Sequence, residues 1–388
     1  MPTVRVRIPA RSQQYEIKVG ADLLPTLGAE ICAAIRSEPR IAALISNQTV
    51  FDLYGGVASE SLRSAGLRVK HFLIGDGERS KSIRSFERTV NFLAENGLER
   101  NDVVVALGGG VVGDVAGFAA ATYLRGIAFV QAPTTLLAQI DASVGGKTGI
   151  NFGAGKNLVG AFHQPRLVLI DANTLRTLPK RELTAGWCEA VKQGAVGDRK
   201  LFDRTARLLK RLGPDLSVQA GNAPSPPNVA ATIAAHCRFK ASIVSGDERE
   251  DASRTDPRSR RILNFGHTTA HALEKVTHYR RFRHGEAVGF GMLVAGELSK
   301  SLGMLASCEL ELLRGAVRAC GELPRANDLS IESIIRAMAA DKKNVAGRIK
   351  WILLKKIGRP QIVDGSEIPS RLLHDALRAG LVADEVSA

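Results

Sequence analysis

The apolar positions in the first half of the chain fall in short blocks. Ile41–Ile45, Val69–Ile74, Val103–Leu107, Ile127–Gln131 and Leu167–Ile170 are brief, mainly apolar runs, the pattern of buried strands. Between them, Ser85–Asn96 and Gly113–Leu124 carry apolar residues at helical spacing. This alternation predicts a parallel α/β layer. Near the N-terminus, Val4–Ile8 and Tyr15–Val19 alternate like strands and are expected to form a hairpin. Beyond Pro179 the pattern changes. Arg181–Gly194, Val229–Val244, Leu263–Val276, Gly285–Leu302 and Ile331–Ala339 read as helices, and strand signals nearly vanish. A boundary near residues 176–180 is predicted, giving an α/β domain over 1–178 and a helical domain over 179–388. A proline-rich loop, Asn222–Asn228, and a polar one, Asp251–Ser259, interrupt the second half.

Composition narrows the class. The chain has 388 residues and 45% apolar content, enough for two packed domains. Five cysteines, with no CxxC pair, argue against a disulfide framework or a thiolate zinc site and fit a reducing cytoplasm. No signal-peptide stretch is read at the N-terminus, and the uncharged run Gly126–Ile140 is short and contains Pro133, so no membrane span is expected. The net charge of +14 is scattered, aromatics are 5%, and no nucleic-acid motif is present. A small anionic ligand is expected, and not nucleic acid. The clusters Arg254–Arg261 and Arg280–Arg283 flank candidate site residues.

Candidate chemistry begins where the Val103–Leu107 strand stops at Gly108, Gly109 and Gly110. Glycines between strand and helix let backbone N–H groups approach an anion. Gly108, Gly110 and Gly113 match G-x-G-x-x-G, but no acidic residue follows at about 20 positions to hold a ribose. The ordinary dinucleotide fingerprint is therefore unmet, and a tight turn explains the glycines equally well. Asp76–Lys81 is a second polar turn that a capped helix start also explains. Thr134 and Thr135 could reach a nucleotide or cap a helix from Leu136. Asp141, Lys147 and Lys156 lie among glycines and small residues, as a site for a phosphorylated, polyhydroxylated substrate requires. In the second half, Asn264-Phe-Gly-His267-Thr-Thr-Ala-His271 is followed by His284-Gly-Glu286, so these three histidines and His278, four of the chain's eight, fall within 18 residues. His267 and His271 share a face if helical. Glu189 is acidic on an otherwise apolar helix. Histidines with a carboxylate suit zinc or a similar divalent ion with an open position. Solvated histidines on packed polar helices are the alternative.

Together these segments, from about residue 40 to about residue 360, resemble the 3-dehydroquinate synthase family, the sugar-phosphate cyclases of the shikimate pathway. The resemblance implies a Rossmann-like NAD-binding α/β domain, an all-α C-terminal metal-binding domain, one zinc or cobalt ion, an active site in the cleft, and a cytoplasmic homodimer. It places the metal ligands on Glu189, His267 and His284, and makes His271 an active-site residue. NAD contacts fall on Asp76, Gly77, Glu78, Arg79, Ser80 and Lys81; on Gly110, Val111, Val112, Gly113 and Asp114; on Thr134, Thr135, Lys147, Lys156 and Asn157; and on Thr174, Leu175, Arg176 and Thr177. Substrate contacts fall on Asp141, Lys147, Asn157, Lys192, Lys240, Arg260, Asn264 and His271, with one more lysine from Lys342 or Lys343. The implied reaction converts 3-deoxy-arabino-heptulosonate 7-phosphate to 3-dehydroquinate and phosphate with no net redox change. Related cyclases of the aminodehydroquinate, deoxy-inosose or valiolone type are the nearest rivals, and a metal-dependent alcohol or glycerol dehydrogenase is a remoter one. The chain departs from the family's Thr-Asp-x-Asn with Ser46-Asn47-Gln48-Thr49, and has Gly266-His-Thr-Thr-Ala-His271 for Gly-His-Thr-Phe-Gly-His. The first change removes a carboxylate suited to the adenosine ribose.

Overall fold

The structure, a computed structural model, describes residues 14–153, 155–216, 227–251, 253–339 and 349–382. The expected strand Val4–Ile8, most of the loop Asn222–Asn228, and both Lys342 and Lys343 lie outside the described residues.

Six parallel strands form the central sheet: β1 (Glu16–Gly20), β2 (Ile41–Asn47), β3 (Arg68–Ile74), β4 (Val103–Gly108), β5 (Ala128–Pro133) and β8 (Leu167–Asp171), in the order β1-β8-β5-β4-β2-β3. β6 (Lys147–Phe152) and β7 (Gly155–Phe162) form a separate antiparallel hairpin. The inner strands are valine- and isoleucine-rich because both of their faces are covered. On one face, Leu27 and Ile31 of α1 (Leu27–Ala34) and Ala58 and Leu62 of α2 (Gly56–Ser64) pack with Leu44 and Val105. On the other, Leu93 of α3 (Ile83–Glu95) and Val115 and Ala119 of α4 (Gly110–Thr122) pack with Ile45 and Val104. Alternate residues of each strand thus serve opposite layers.

Tyr15–Val19 forms a strand, as its alternation predicts, and it joins the central sheet. β1 pairs in parallel with β8, Ile17 opposite Val168, and the other arm of the expected hairpin, Val4–Ile8, lies outside the described residues. The β6–β7 hairpin was not expected. Its glycines disguise it: a Cβ at Gly160 would stand 2.1 Å from the Thr148 carbonyl oxygen, so Gly149 and Gly160 allow an unusually close backbone pairing.

The second half contains α5 (Lys180–Gly197), α6 (Arg199–Leu212), α7 (Pro227–Gly246), α8 (His267–Val276), α9 (His284–Ser301), α10 (Ser307–Ala319), α11 (Ile331–Ala339) and α12 (Ser370–Leu381). It also contains an antiparallel hairpin, β9 (Lys350–Lys356) with β10 (Arg359–Asp364), which an all-helical reading omits. The run Trp351–Leu354 is buried against the helical core, and so short an apolar run carries no period by which to distinguish strand from helix.

α9 is the central helix, buried continuously from Gly285 to Ser299. Two glycines set its position. A Cβ at Gly285 would lie 1.9 Å from the Ala185 carbonyl oxygen on α5, and one at Gly291 would lie 1.9 Å from that of Gly266, just before α8. Backbone therefore packs on backbone at both crossings. Gly266 itself has φ +78°, a left-handed conformation that favours glycine. The expected helix Leu263–Val276 breaks here into a short 3₁₀ turn, Arg260–Asn264, and α8. We expect Gly291→Ala to destabilise the fold by about 3 kcal/mol, measured by urea unfolding, because the contact it violates is with backbone that cannot rotate away. An unchanged midpoint would contradict this packing.

Candidate active site

Helix starts bring the ligand-type residues together. His267 opens α8 and His284 opens α9, both pointing toward Glu189 in the middle of α5. One ligand atom from each of these three residues lies within 4.8 Å of the others. Glu189 Oε1 stands 3.9 Å from His267 Nε2 and 3.6 Å from His284 Nε2, too far for hydrogen bonds. Both Glu189 oxygens are buried; Oε1 receives no hydrogen bond, and Oε2 forms an ion pair with Lys192 Nζ at 2.5 Å.

The opposite ring nitrogens are held. His267 Nδ1 lies 3.3 Å from the Phe265 carbonyl, and His284 Nδ1 lies 3.4 Å from Glu274 Oε2. Both contacts favour a proton on Nδ1 and a lone pair on Nε2, the arrangement of metal-binding histidines. The donor set fits a divalent ion. His271, which shares a helix face with His267, lies one turn further along α8 with its ring centroid 5.5 Å from that of His267.

Glu274 is a site residue that the sequence reading missed. It is buried, pairs with Lys156 at 3.0 Å, and faces His284. Burial opposes its ionisation, but His284 and Lys156 outweigh burial and hold its carboxyl down at about 2. Burial would likewise lower His284, but Glu274 and Glu189 hold it above the ordinary imidazole value. The signal for Glu274 was its i+3 spacing from His271 on α8, yet its partner is supplied by a different helix.

A lysine-rich cluster adjoins this group. Asp141 lies on a π-helical turn, Ala138–Ala142, and pairs with Lys240 of α7 at 2.6 Å. Burial alone would raise the Asp141 carboxyl, but Lys240 and Lys192 overcome it and keep the group ionised. Burial lowers Lys240 despite Asp141. Burial also disfavours charge on Lys192, but Glu189 and Asp141 raise it above its usual value. Arg260 is buried; its guanidinium donates to the carbonyls of Glu248, at 2.5 Å, and Gly145, at 3.2 Å. Lys147, at the start of β6, pairs with Glu250, which also accepts from Asn264 at 3.0 Å. Glu250 is a second residue that sequence reasoning missed. The flanking basic clusters contribute less than expected: Arg254, Arg281 and Arg283 pair with Asp256, Asp328 and Glu182.

The expected cofactor segments gather at the C-terminal ends of β2, β3, β4, β5 and β8, where doubly wound sheets bind ligands. α4 begins at Gly110 without a side-chain cap, leaving its first N–H groups to face an anion. Lys81 is buried between Asp114 and Asn157, hydrogen-bonded to both. Burial pushes the Asp114 carboxyl up, against the pull of Lys81. Asp76 accepts hydrogen bonds from Asn47 and from Thr49, the latter at 3.3 Å. A carboxylate therefore stands at the departure from the family pattern after all, supplied by the next strand. Thr135 caps the following turn, its hydroxyl accepting from the Ala138 N–H at 3.2 Å. Thr134 is buried, the Thr174 hydroxyl bonds to Gln139 at 2.9 Å, and the Thr177 hydroxyl bonds to Tyr54 at 2.6 Å. The side chains of Val112 and Leu175 pack in the core, so only their backbone can meet a cofactor.

Comparison with known proteins decides the family. Residues 71–185 match the description "3-dehydroquinate synthase N-terminal" and residues 186–344 match "3-dehydroquinate synthase C-terminal". The chain belongs to the 3-dehydroquinate synthase family. It is 42% identical to a 3-dehydroquinate synthase of Nostoc punctiforme over 378 residues, covering 97% of this chain and 98% of that one. Among solved structures it resembles a 2-epi-5-epi-valiolone synthase from Streptomyces hygroscopicus subsp. jinggangensis with NAD+ and Zn2+ bound, at TM-score 0.83 and 27% identity over 96% of this chain and 98% of that one. A 2-deoxy-scyllo-inosose synthase complexed with carbaglucose-6-phosphate, NAD+ and Co2+ follows at TM-score 0.76 and 25% identity, with 95% and 97% covered.

Because Glu274 orients His284, we expect Glu274→Gln to fold but to bind zinc about 10–100-fold more weakly, read by competition with a chelator. The raised His284 value gives the sign of the pH effect. Below that value a proton occupies the imidazole and competes with the cation, and above it the ligand is neutral, so zinc uptake should strengthen from pH 6 to pH 8. Equal affinity at both pH values would contradict this assignment.

Proposed function

We propose that the chain is a 3-dehydroquinate synthase, converting 3-deoxy-arabino-heptulosonate 7-phosphate to 3-dehydroquinate and phosphate with NAD and one divalent ion. One observation carries the reading. Three ligand-type residues, Glu189, His267 and His284, stand beside Asp141, Lys192 and Lys240, in a chain 42% identical across nearly its whole length to a 3-dehydroquinate synthase. The valiolone synthase, at 27% identity, is a more distant relative.

When bound, NAD supplies a temporary hydride acceptor, and a cation held by Glu189, His267 and His284 supplies charge to acidify a substrate hydroxyl. The chain's own residues then set the geometry. Asp141, kept ionised by its lysines, accepts a hydrogen bond from a substrate hydroxyl. Lys192, Lys240 and Arg260 hold the carboxylate and phosphate by charge-assisted hydrogen bonds. Lys147 reaches the phosphate from β6 and exchanges Glu250 for it. Asn264 and His271 complete the pocket from the second half, and Lys342 or Lys343 contributes from the segment before β9. Asp76, placed by Asn47 and Thr49, takes the role of ribose acceptor, while the Gly110–Asp114 turn, Thr134, Lys81 and Asn157 bind the remainder of the cofactor. With NAD bound, temporary oxidation would make the neighbouring C–H acidic enough for its proton to pass to the departing phosphate, and the cofactor would end unchanged. A closed site makes the final intramolecular aldol effectively unimolecular.

This reading divides the chain at residues 178 and 179, with the cleft between the two domains. It also makes the protein a cytoplasmic homodimer. All five cysteines are free thiols, and among the described residues no helix is long and apolar enough to cross a membrane. Phe152, Leu158 and Phe162 on the β6–β7 hairpin are exposed and suit a second copy of the chain.

Phosphate and NADH followed in one reaction, with NAD far below substrate, test the activity. Many phosphates per NAD, without matching growth in NADH, are expected; one NADH per substrate consumed would mean a dehydrogenase. Lys147→Ala and Lys240→Ala should remain folded by circular dichroism but lose about 100-fold or more in kcat/KM, the scale of losing a charged contact in the transition state. Near-normal efficiency in either variant would remove that lysine from the site.

A further inference from the structure

The turn that carries Asp141 is held from outside. A π-helical turn disrupts the normal i→i−4 ladder and leaves carbonyls seeking other donors. Here three successive carbonyls are met by side chains of the helical half. Gln139 O accepts from Cys237 Sγ at 3.2 Å, Ile140 O accepts from Gln193 Nε2 at 3.0 Å, and Asp141 O accepts from Lys240 Nζ. Gln193 Nε2 also lies 3.4 Å from Asp141 Oδ1. Lys240 and Asp141 belong to the proposed site, but Gln193 and its partner behind it do not.

That partner is His236 on α7. Its Nδ1 lies 3.1 Å from Gln193 Oε1, and its Nε2 lies 3.0 Å from the Thr205 hydroxyl on α6. Gln193, His236 and Thr205 are all fully buried. The network fixes the protons. Gln193 turns its nitrogen to two acceptors, Ile140 O and Asp141 Oδ1, so its oxygen must face His236, and Nδ1 must be the protonated ring nitrogen. Burial, helped by Arg204, pushes His236 down to about 3, so the ring is neutral and its Nε2 is an acceptor; it shares the one Thr205 hydroxyl hydrogen with the Leu201 carbonyl, which lies 3.0 Å from that hydroxyl.

We propose that His236 is a positioning residue for the reaction: through its Nδ1–H it locks the Gln193 amide, which in turn fixes the turn and carboxylate of Asp141. The proposal rests on the reading that Asp141 meets substrate. A lost lock lets the carboxylate and its turn drift from the reacting geometry, while the cation ligands and the cofactor turn stay in place. Catalysis should suffer more than binding.

Two substitutions separate the two ring nitrogens. His236→Asn places an amide N–H near the Nδ1 position and can still serve Gln193. His236→Gln reaches the Nε2 position and serves only Thr205. We expect His236→Gln to lose roughly 10-fold or more in kcat, with less than about a threefold change in KM and full zinc stoichiometry, and His236→Asn to recover most of that loss. Thr205→Val, which removes the other partner, should lower the melting temperature but keep kcat within about threefold, and it serves as the test should His236→Asn fail to fold. Asp141→Asn should be strongly impaired, and adding His236→Gln to it should cost little more, since both act on one group. Wild-type kcat in His236→Gln, or equal losses in the Asn and Gln variants, would overturn the proposal and leave the site reading intact. Wild-type activity in Asp141→Asn would overturn both.

Discussion

The burial of the Glu189 carboxylate is the constraint around which the rest is arranged. An ionised group with no exposure costs several kcal/mol unless charge or strong hydrogen bonds compensate it. Here compensation comes from Lys192 one turn away on the same helix and from the starts of two other helices, α8 and α9. Those helices can reach Glu189 only because Gly285 and Gly291 let α9 touch the backbone of α5 and of the Gly266 turn. The histidines are thus placed by backbone contact, and their orientation is fixed one layer further out by Phe265 and Glu274. A cation would supply the charge that this arrangement still lacks.

The same logic extends to the ends of the central sheet. The sheet ends in turns whose polar groups are fixed before any ligand arrives: Asp76 by Asn47 and Thr49, Lys81 by Asp114 and Asn157, and the Asp141 turn by Gln193, Cys237 and Lys240. The last group matters most for coupling. Its donors lie on α5 and α7, whereas the turn follows β5, so the helical half supplies the hydrogen bonds that a π-helical turn cannot make for itself. The candidate site residues of the two halves are therefore held in a common frame. Pre-formed geometry of this kind suits a reaction whose several steps share one site.

Some of the candidate active site was legible residue by residue. Lys147, Lys156 and Asp141 stood out because glycine-rich surroundings offer no core for them to join, and His267 with His284 stood out by density along the chain. Glu274 and Glu250 did not. A single acidic residue on a polar helix or in a charged loop is ordinary, and only its partner, His284 or Lys147, gives it meaning. His236 escaped for a related reason. A lone histidine on an apolar helix face usually satisfies a local need, and its link to Asp141 runs through Gln193 on another helix.

By itself the sequence determined the layer type, the positions of the inner strands and long helices, and the family, because hydrophobic periodicity and contiguous motifs are local properties written directly into residue order. It did not determine the pairing of β1 with β8 or the two hairpins, and spacing alone left His271 and His284 as equal partners for His267, a choice that the family resemblance made and the structure bears out. These depend on distances between segments far apart in the chain. Backbone contact at Gly160 sets the β6–β7 hairpin, and contact at Gly285 and Gly291 sets the helix that carries His284; glycine leaves no hydrophobic signal by which such contacts could be read in advance.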